Sequence, residues 1–229
     1  SYGDGSDDSA FSISTWVNMD DATSFPIISK GVYNTNAEWN FKTESDDKLY
    51  LILYDESVNS TQEYASTTAT LTAYQDKWVH VTATYNGVGG TSANAGIKLY
   101  VNGVAEAMTL GDAGTYVAME NLAANVHIGR YDSQYANGQI RDVGIHDYEL
   151  SAEQVASLYS GSYNVVPKHR WKLDDSIQGT ATTTATDTGW KGEFGSNQYN
   201  RLDGTLTHFG ATNGSVSDTS NWNNGTLDL

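Results

Sequence analysis

The sequence contains no cysteine, so disulfide staples, thiol catalysis and cysteine-bound zinc or iron–sulfur centres are excluded. Its 229 residues are enough to bury a core without staples, and a β-sandwich of this length is commonly one domain. Cations are scarce: 12 Lys and Arg stand against 28 Asp and Glu, a formal charge of −16. Such a chain repels a phosphate backbone, so nucleic acid is not an expected partner. No stretch approaches the ~18 consecutive apolar residues of a membrane helix, nothing at the N-terminus resembles a signal peptide, and membrane insertion is not expected. The start at Ser1 without Met reads as a processed or excised product. H-E-x-x-H, P-loop, G-x-S-x-G and G-x-G-x-x-G motifs are all missing, which removes the common sequence signals of metalloprotease, nucleotide and hydrolase chemistry.

Proline is also rare, with 2 residues, whereas 15 Tyr, 6 Trp, 22 Gly and abundant Thr and Ser describe a chain rich in strands and turns. Phe11-Ser-Ile-Ser-Thr-Trp-Val17 alternates, with Phe11, Ile13 and Val17 on one face and Trp16 on the other. Short strands are expected next at 27–30, 39–42 and 48–54, between clusters of Gly, Asn, Ser and Asp. Lys77 to Tyr85 alternates again, placing Trp78, His80, Thr82 and Thr84 opposite Val79, Val81, Ala83 and Tyr85. Within 97–105, Asn102-Gly103 lies between apolar strand residues. A type I′ hairpin needs positive φ at both central positions, which Asn and Gly tolerate. Two further strands are expected at 126–130 and 138–146, joined by a polar and aromatic loop over 131–137.

The period then changes. In Leu150-Ser-Ala-Glu-Gln-Val-Ala-Ser-Leu-Tyr159, Ser151 can cap a helix reciprocally with Gln154, and Leu150 can pack on Val155 as a staple. Val155, Leu158 and Tyr159 are expected to face inward. Residues 162–168 read as a connector. Beyond it a Thr-, Gly- and Asn-rich stretch carries Trp171, Leu173, Trp190, Phe194, Leu202, Leu206 and Trp222, too sparse for a separate core yet too aromatic for an unfolded tail.

Candidate chemistry divides into three sets. The five histidines, His80, His127, His146, His169 and His208, show no metal spacing and read as structural. Glu38, Glu44, Glu56, Glu63, Glu106 and Glu120 stand singly, without the paired carboxylates of a glycosidase strand. Aromatic rings mixed with amides and carboxylates, the composition of a sugar site, occur twice: Tyr131, Asp132, Gln134, Tyr135 and Asn137 in one loop, and Tyr33, Asn34, Asn36 and Trp39 in another. Gly3-Asp-Gly-Ser-Asp-Asp8 is acidic but fails the EF-hand pattern and reads as a turn.

The segments FSISTWV (11–17), KWVHVTATYNG (77–87), IKLYVNG (97–103), HIGR (127–130) and GQIRDVGIHDYELSAEQVASLY (138–159), with HRWKLDDS (169–176) and ATDTG (185–189), together resemble the laminin-G-like, concanavalin A-like jelly rolls of the lectin and glucanase superfamily. The resemblance implies an all-β antiparallel two-sheet jelly-roll sandwich with one short helix near 151–160. In that family the W-x-L-D-D and A-x-D-x-x-G pieces precede the first long strand. Here they follow the whole module, so the chain reads like one period of a repeat cut within a domain. Residues 1–161 are then the main body, 162–168 the connector, and 169–229 the segment that completes the sandwich of the same chain or of a neighbouring copy.

The resemblance further implies a non-catalytic carbohydrate-binding or adhesion module on an extracellular, cell or virion surface, with a glycan or cell-surface polysaccharide as partner. Two alternatives accompany it: a structural repeat of a filament, shell or stalk that binds copies of itself, and a glycan-active enzyme. In similar jelly rolls a structural calcium is held by aspartates that map here onto Asp142 and Asp187, with carbonyls near Gly192.

Overall fold

The computed structural model describes residues 2–58, 61–162 and 165–171, and the backbone of short strands at 184–185, 204–205, 222–223 and 226–228. In chain order the first strands are β1 (Phe11–Met19), β2 (Pro26–Lys30), β3 (Trp39–Thr43), β4 (Leu49–Asp55), β5 (Thr61–Thr67), β6 (Trp78–Tyr85), β7 (Ile97–Val101), β8 (Val104–Ala105) and β9 (Met108–Ala113). They are followed by β10 (Val126–Ile128), β11 (Arg130–Tyr131), β12 (Gln134–Tyr135), β13 (Gly138–His146), helix α1 (Ala152–Ser160), β14 (His169–Trp171), β15 (Thr184–Ala185), β16 (Gly204–Thr205), β17 (Trp222–Asn223) and β18 (Thr226–Asp228).

Two antiparallel sheets face each other. One runs β17-β18-β13-β1-β6-β7-β8, with β14 also on β13, and the other runs β10-β2-β3-β4-β5-β9. Alternation decides which side chains meet between them. Phe11, Ile13, Val17, Val79, Val81, Leu99, Ile140 and Val143 from the first sheet join Trp39, Phe41, Leu49, Leu51, Leu53 and Ala65 from the second in one buried cluster. Each large side chain in it contributes about 1.5–3 kcal/mol from burial, so this cluster dominates stability. The fold is the concanavalin A-like jelly-roll sandwich that the resemblance implies.

Local signals hold where they are strongest. Asn102 and Gly103 have φ of 50° and 78°, closing a two-residue turn, and Asn102 Oδ1 accepts the His80 backbone N–H at 3.0 Å. Ser151 and Gln154 form the reciprocal cap, Gly161 ends α1 in the left-handed conformation, and Leu150 and Val155 share a buried cluster. Tyr159 departs from expectation: it is 41% exposed, lying on the flank of α1 with its ring 5.7 Å from that of Trp16. The 131–137 loop is a small hairpin, β11 paired with β12.

β13 carries an extra residue opposite β1, where the register passes from Ser14↔Gly144 to Trp16↔Arg141. At this bulge Asp142 takes a φ of 52°, and its carboxylate accepts a 2.7 Å bond from Arg170 of β14. β14 lies along Val143–Ile145 and β18 along Gln139–Ile140, two segments running in the same direction on one edge of β13. Trp171 from β14 is buried in the main core.

Candidate functional site

The outward face of the six-stranded sheet is built by the residues that alternate with the core. On β4, Leu49, Leu51 and Leu53 point in, so Tyr50, Ile52 and Tyr54 point out. Cross-strand pairing extends them into rows: Lys42–Tyr50–Ser66–Thr109, Asn40–Ile52–Tyr64–Gly111, and Tyr54–Gln62–Ala113. The rings of Tyr50 and Tyr64 lie 5.9 Å apart in a tilted pair. The phenol end of Tyr64 lies against Gly111, where a Cβ would stand 2.3 Å from its ring. A glycine at this register position gives the ring room to settle on the sheet.

At the other end of β4 the hairpin β11–β12 folds over the sheet. Tyr131 stacks on Tyr54 with centroids 6.4 Å apart, and its hydroxyl donates to that of Tyr54 at 3.0 Å. Burial pushes both phenols above their ordinary pKa, so each stays protonated. Tyr33 meets Tyr54 edge-on at 5.7 Å and remains 41% exposed. Lys42 Nζ sits 5.0 Å from the Tyr131 ring centroid and 2.6 Å from Glu44 Oε1. Tyr50 donates its hydroxyl to Asp46 Oδ2 at 3.1 Å. The result is a floor of Asn40, Ile52, Tyr54 and Ser66 with Tyr33, Tyr50, Gln62 and Tyr64 standing more open around it. Aromatic faces beside hydroxyl, amide and carboxylate groups can stack on C–H surfaces and bond to hydroxyls at the same time.

The family model described as the concanavalin A-like lectin/glucanases superfamily, Laminin_G_3, matches residues 3–156. The chain belongs to this superfamily. Among solved structures it is similar to a heptameric SAP-like pentraxin from Limulus polyphemus, at 18% identity over 66% of this chain and 71% of the pentraxin, with a TM-score of 0.41. It is also similar to domain 4 of AbnA, an extracellular GH43 arabinanase from Geobacillus stearothermophilus solved with arabinotriose, at 19% identity over 68% and 69% of the two chains, with a TM-score of 0.45. The binding domain of botulinum neurotoxin serotype D is similar at 21% identity and a TM-score of 0.45; the match covers 80% of this chain but 45% of that domain. A search of curated proteins finds no match.

On this superfamily scaffold the expected site residues separate. Tyr33 and Tyr131, from two different loops, come together through Tyr54. Tyr131 is 6% exposed and supports the floor instead of facing solvent. Trp39 is a correction: it is 1% exposed, because alternation along β3 turns its indole into the core beside Phe11. Asp132 adopts a φ of 52° at the tip of the β11–β12 hairpin, and its carbonyl accepts Arg130 Nε–H at 3.0 Å. Gln134 is exposed, and Tyr135 is exposed beneath the Arg130 guanidinium, 5.6 Å from its ring. Asn137 is exposed, and its carbonyl accepts the Asp20 N–H at 3.0 Å. Tyr50, Tyr54, Tyr64, Asn40 and Lys42 are additions. Tyr50 and Tyr54 have a visible signal, since KLYLILY places both tyrosines opposite its leucines.

Among the described residues no three His, Asp or Glu side chains gather as a metal cluster. The Asp142 carboxylate faces a guanidinium, which does not suit it as a calcium ligand, and Asp187 lies outside the described residues. His80 and His146 are buried on the outward face of the other sheet. Among the described residues His80 Nδ1 and both ring nitrogens of His146 have no hydrogen-bond partner. Burial pushes each pKa down to about 4, which keeps both rings neutral at neutral pH. Among the described residues, no helix is long and apolar enough to cross a membrane.

Proposed function

We propose that this chain is a non-catalytic glycan-binding module acting on an extracellular, cell or virion surface, and that it binds on the outward face of the six-stranded sheet. One observation carries the reading: Tyr33, Tyr50, Tyr64, Gln62 and Thr109 stand open on one sheet face, over a buried floor of Tyr54, Asn40 and Ser66. A sugar ring presents a C–H face and a girdle of hydroxyls, and this combination meets both. Membership in a superfamily named for lectins and glucanases agrees with it, although a fold alone does not assign an activity. The carboxylates near the site serve as hydrogen-bond acceptors: Asp46 already takes the Tyr50 hydroxyl, and Glu44 takes the Lys42 ammonium.

The test is binding on a glycan array by the wild type, Tyr50→Ala, Tyr64→Ala and, on β12 of the hairpin, Tyr135→Ala. Removing one stacking ring is expected to weaken binding about tenfold, while Tyr135→Ala stays close to wild type. Binding that survives Tyr50→Ala and Tyr64→Ala but disappears in Tyr135→Ala would move the site to the loop.

A further inference from the structure

The charges around the tyrosine face carry the reading one step further, to the class of glycan. Among the described residues, the lysines beside the open rings, Lys42 and Lys48, are each matched by a carboxylate. Lys42 pairs with Glu44 at 2.6 Å with its side chain 7% exposed, and Lys48 pairs with Asp46 at 3.2 Å. Arg130 lies on the hairpin, donating to the Asp132 carbonyl and stacked on Tyr135. The carboxylates beside the open rings are Glu44 and Asp46, within a chain of formal charge −16. A sulfate or uronate brought here would find both lysines already paired and would enter the field of a chain whose net charge is strongly negative.

Geometry limits the length as well. Tyr50 and Tyr54 stand four residues apart on the same face of β4, about 13 Å at the rise of a strand. Each anchors its own aromatic group, Tyr50 with Tyr64 and Tyr54 with Tyr33. That separation is wider than one sugar ring, so a single sugar reaches only one group.

We infer that the ligand of this face is an uncharged polysaccharide, held over several consecutive sugar units along β4. The inference rests on the glycan-binding reading above. Its test uses an array of neutral and acidic glycans, then titration calorimetry with an acidic polysaccharide and the neutral polymer made by reducing its carboxyl groups, at low and high salt. Binding is expected to favour the neutral polymer by about tenfold or more. It is also expected to change little between about 50 and about 500 mM salt, and to strengthen with oligosaccharide length before levelling off. Preference for the acidic polymer, or salt-sensitive binding abolished by Arg130→Gln, overturns the inference while leaving a glycan-binding module. A monosaccharide bound as tightly as the oligomer overturns the multi-unit contact. No binding to any glycan overturns the underlying reading itself.

Discussion

At the scale of single residues, two buried histidines couple this fold to pH. His80 and His146 have lost their solvation while His80 Nδ1 and both His146 ring nitrogens gain no partner among the described residues, and their folded pKa stands at about 4 instead of 6.5. The groups facing them set the environment. His80 packs on Trp16 and Tyr159 with Asp142 nearby, and His146 lies against Tyr148, with Asp147 adjacent and Ser14 and Pro167 close to the same spot over Gly144. An unfolded chain takes up protons below pH 6.5, whereas the folded chain resists until about pH 4. Stability therefore falls as pH drops through that window and levels off below it. Each histidine accounts for a loss on the order of 3 kcal/mol across the window. Chemical denaturation from pH 7 to pH 4 should show a shallower fall in His80→Gln and His146→Gln than in the wild type; parallel curves would mean that other groups drive the acid sensitivity.

Elements explain both what the sequence disclosed and what it concealed. Gly111 shows the dependence of the site on its sheet: in Gly111→Ala the added methyl meets the ring of Tyr64, and the far end of that flexible side chain has to swing away. Glycan binding is expected to drop by about as much as in Tyr64→Ala, roughly tenfold, while the melting temperature barely moves. β1, β4, β6 and β13 were legible because each sets apolar residues on one face against polar or aromatic residues on the other. The type I′ turn and the capped helix were legible from chemistry that few other conformations use. β5 and β9 were hidden for a physical reason. In TQEYAST only Ala65 joins the main core, and MTLGDA is an edge strand with most residues exposed, so neither shows an apolar stripe. Without those strands in the reading, Tyr64 had no sheet to lie on. Of the loop tyrosines, Tyr33 and Tyr131 border the proposed site on β4 and β5 through their contacts with Tyr54.

For the whole molecule, the order of segments matters as much as their identity. The piece that resembles the family's opening strand stands after the module, and in this chain β14 pairs with Val143–Ile145 while Trp171 enters the core. Trp171→Ala is expected to cost about 3–5 kcal/mol. The unfolding midpoint should not depend on protein concentration if the segment closes its own sandwich. A midpoint that climbs with concentration would instead favour a repeat whose C-terminal segment completes a neighbouring copy. Either arrangement leaves the six-stranded sheet and its tyrosine face intact, because β2 to β5, β9 and β10 all lie within the main body. The most direct test of that face is an NMR titration of the protein labelled at its tyrosine rings, using a neutral oligosaccharide identified on the array. Saturable shifts at Tyr33, Tyr50 and Tyr64, with Tyr135 unmoved, are the expected result; shifts confined to Tyr135, or to rings of the eight-stranded sheet, would contradict the account.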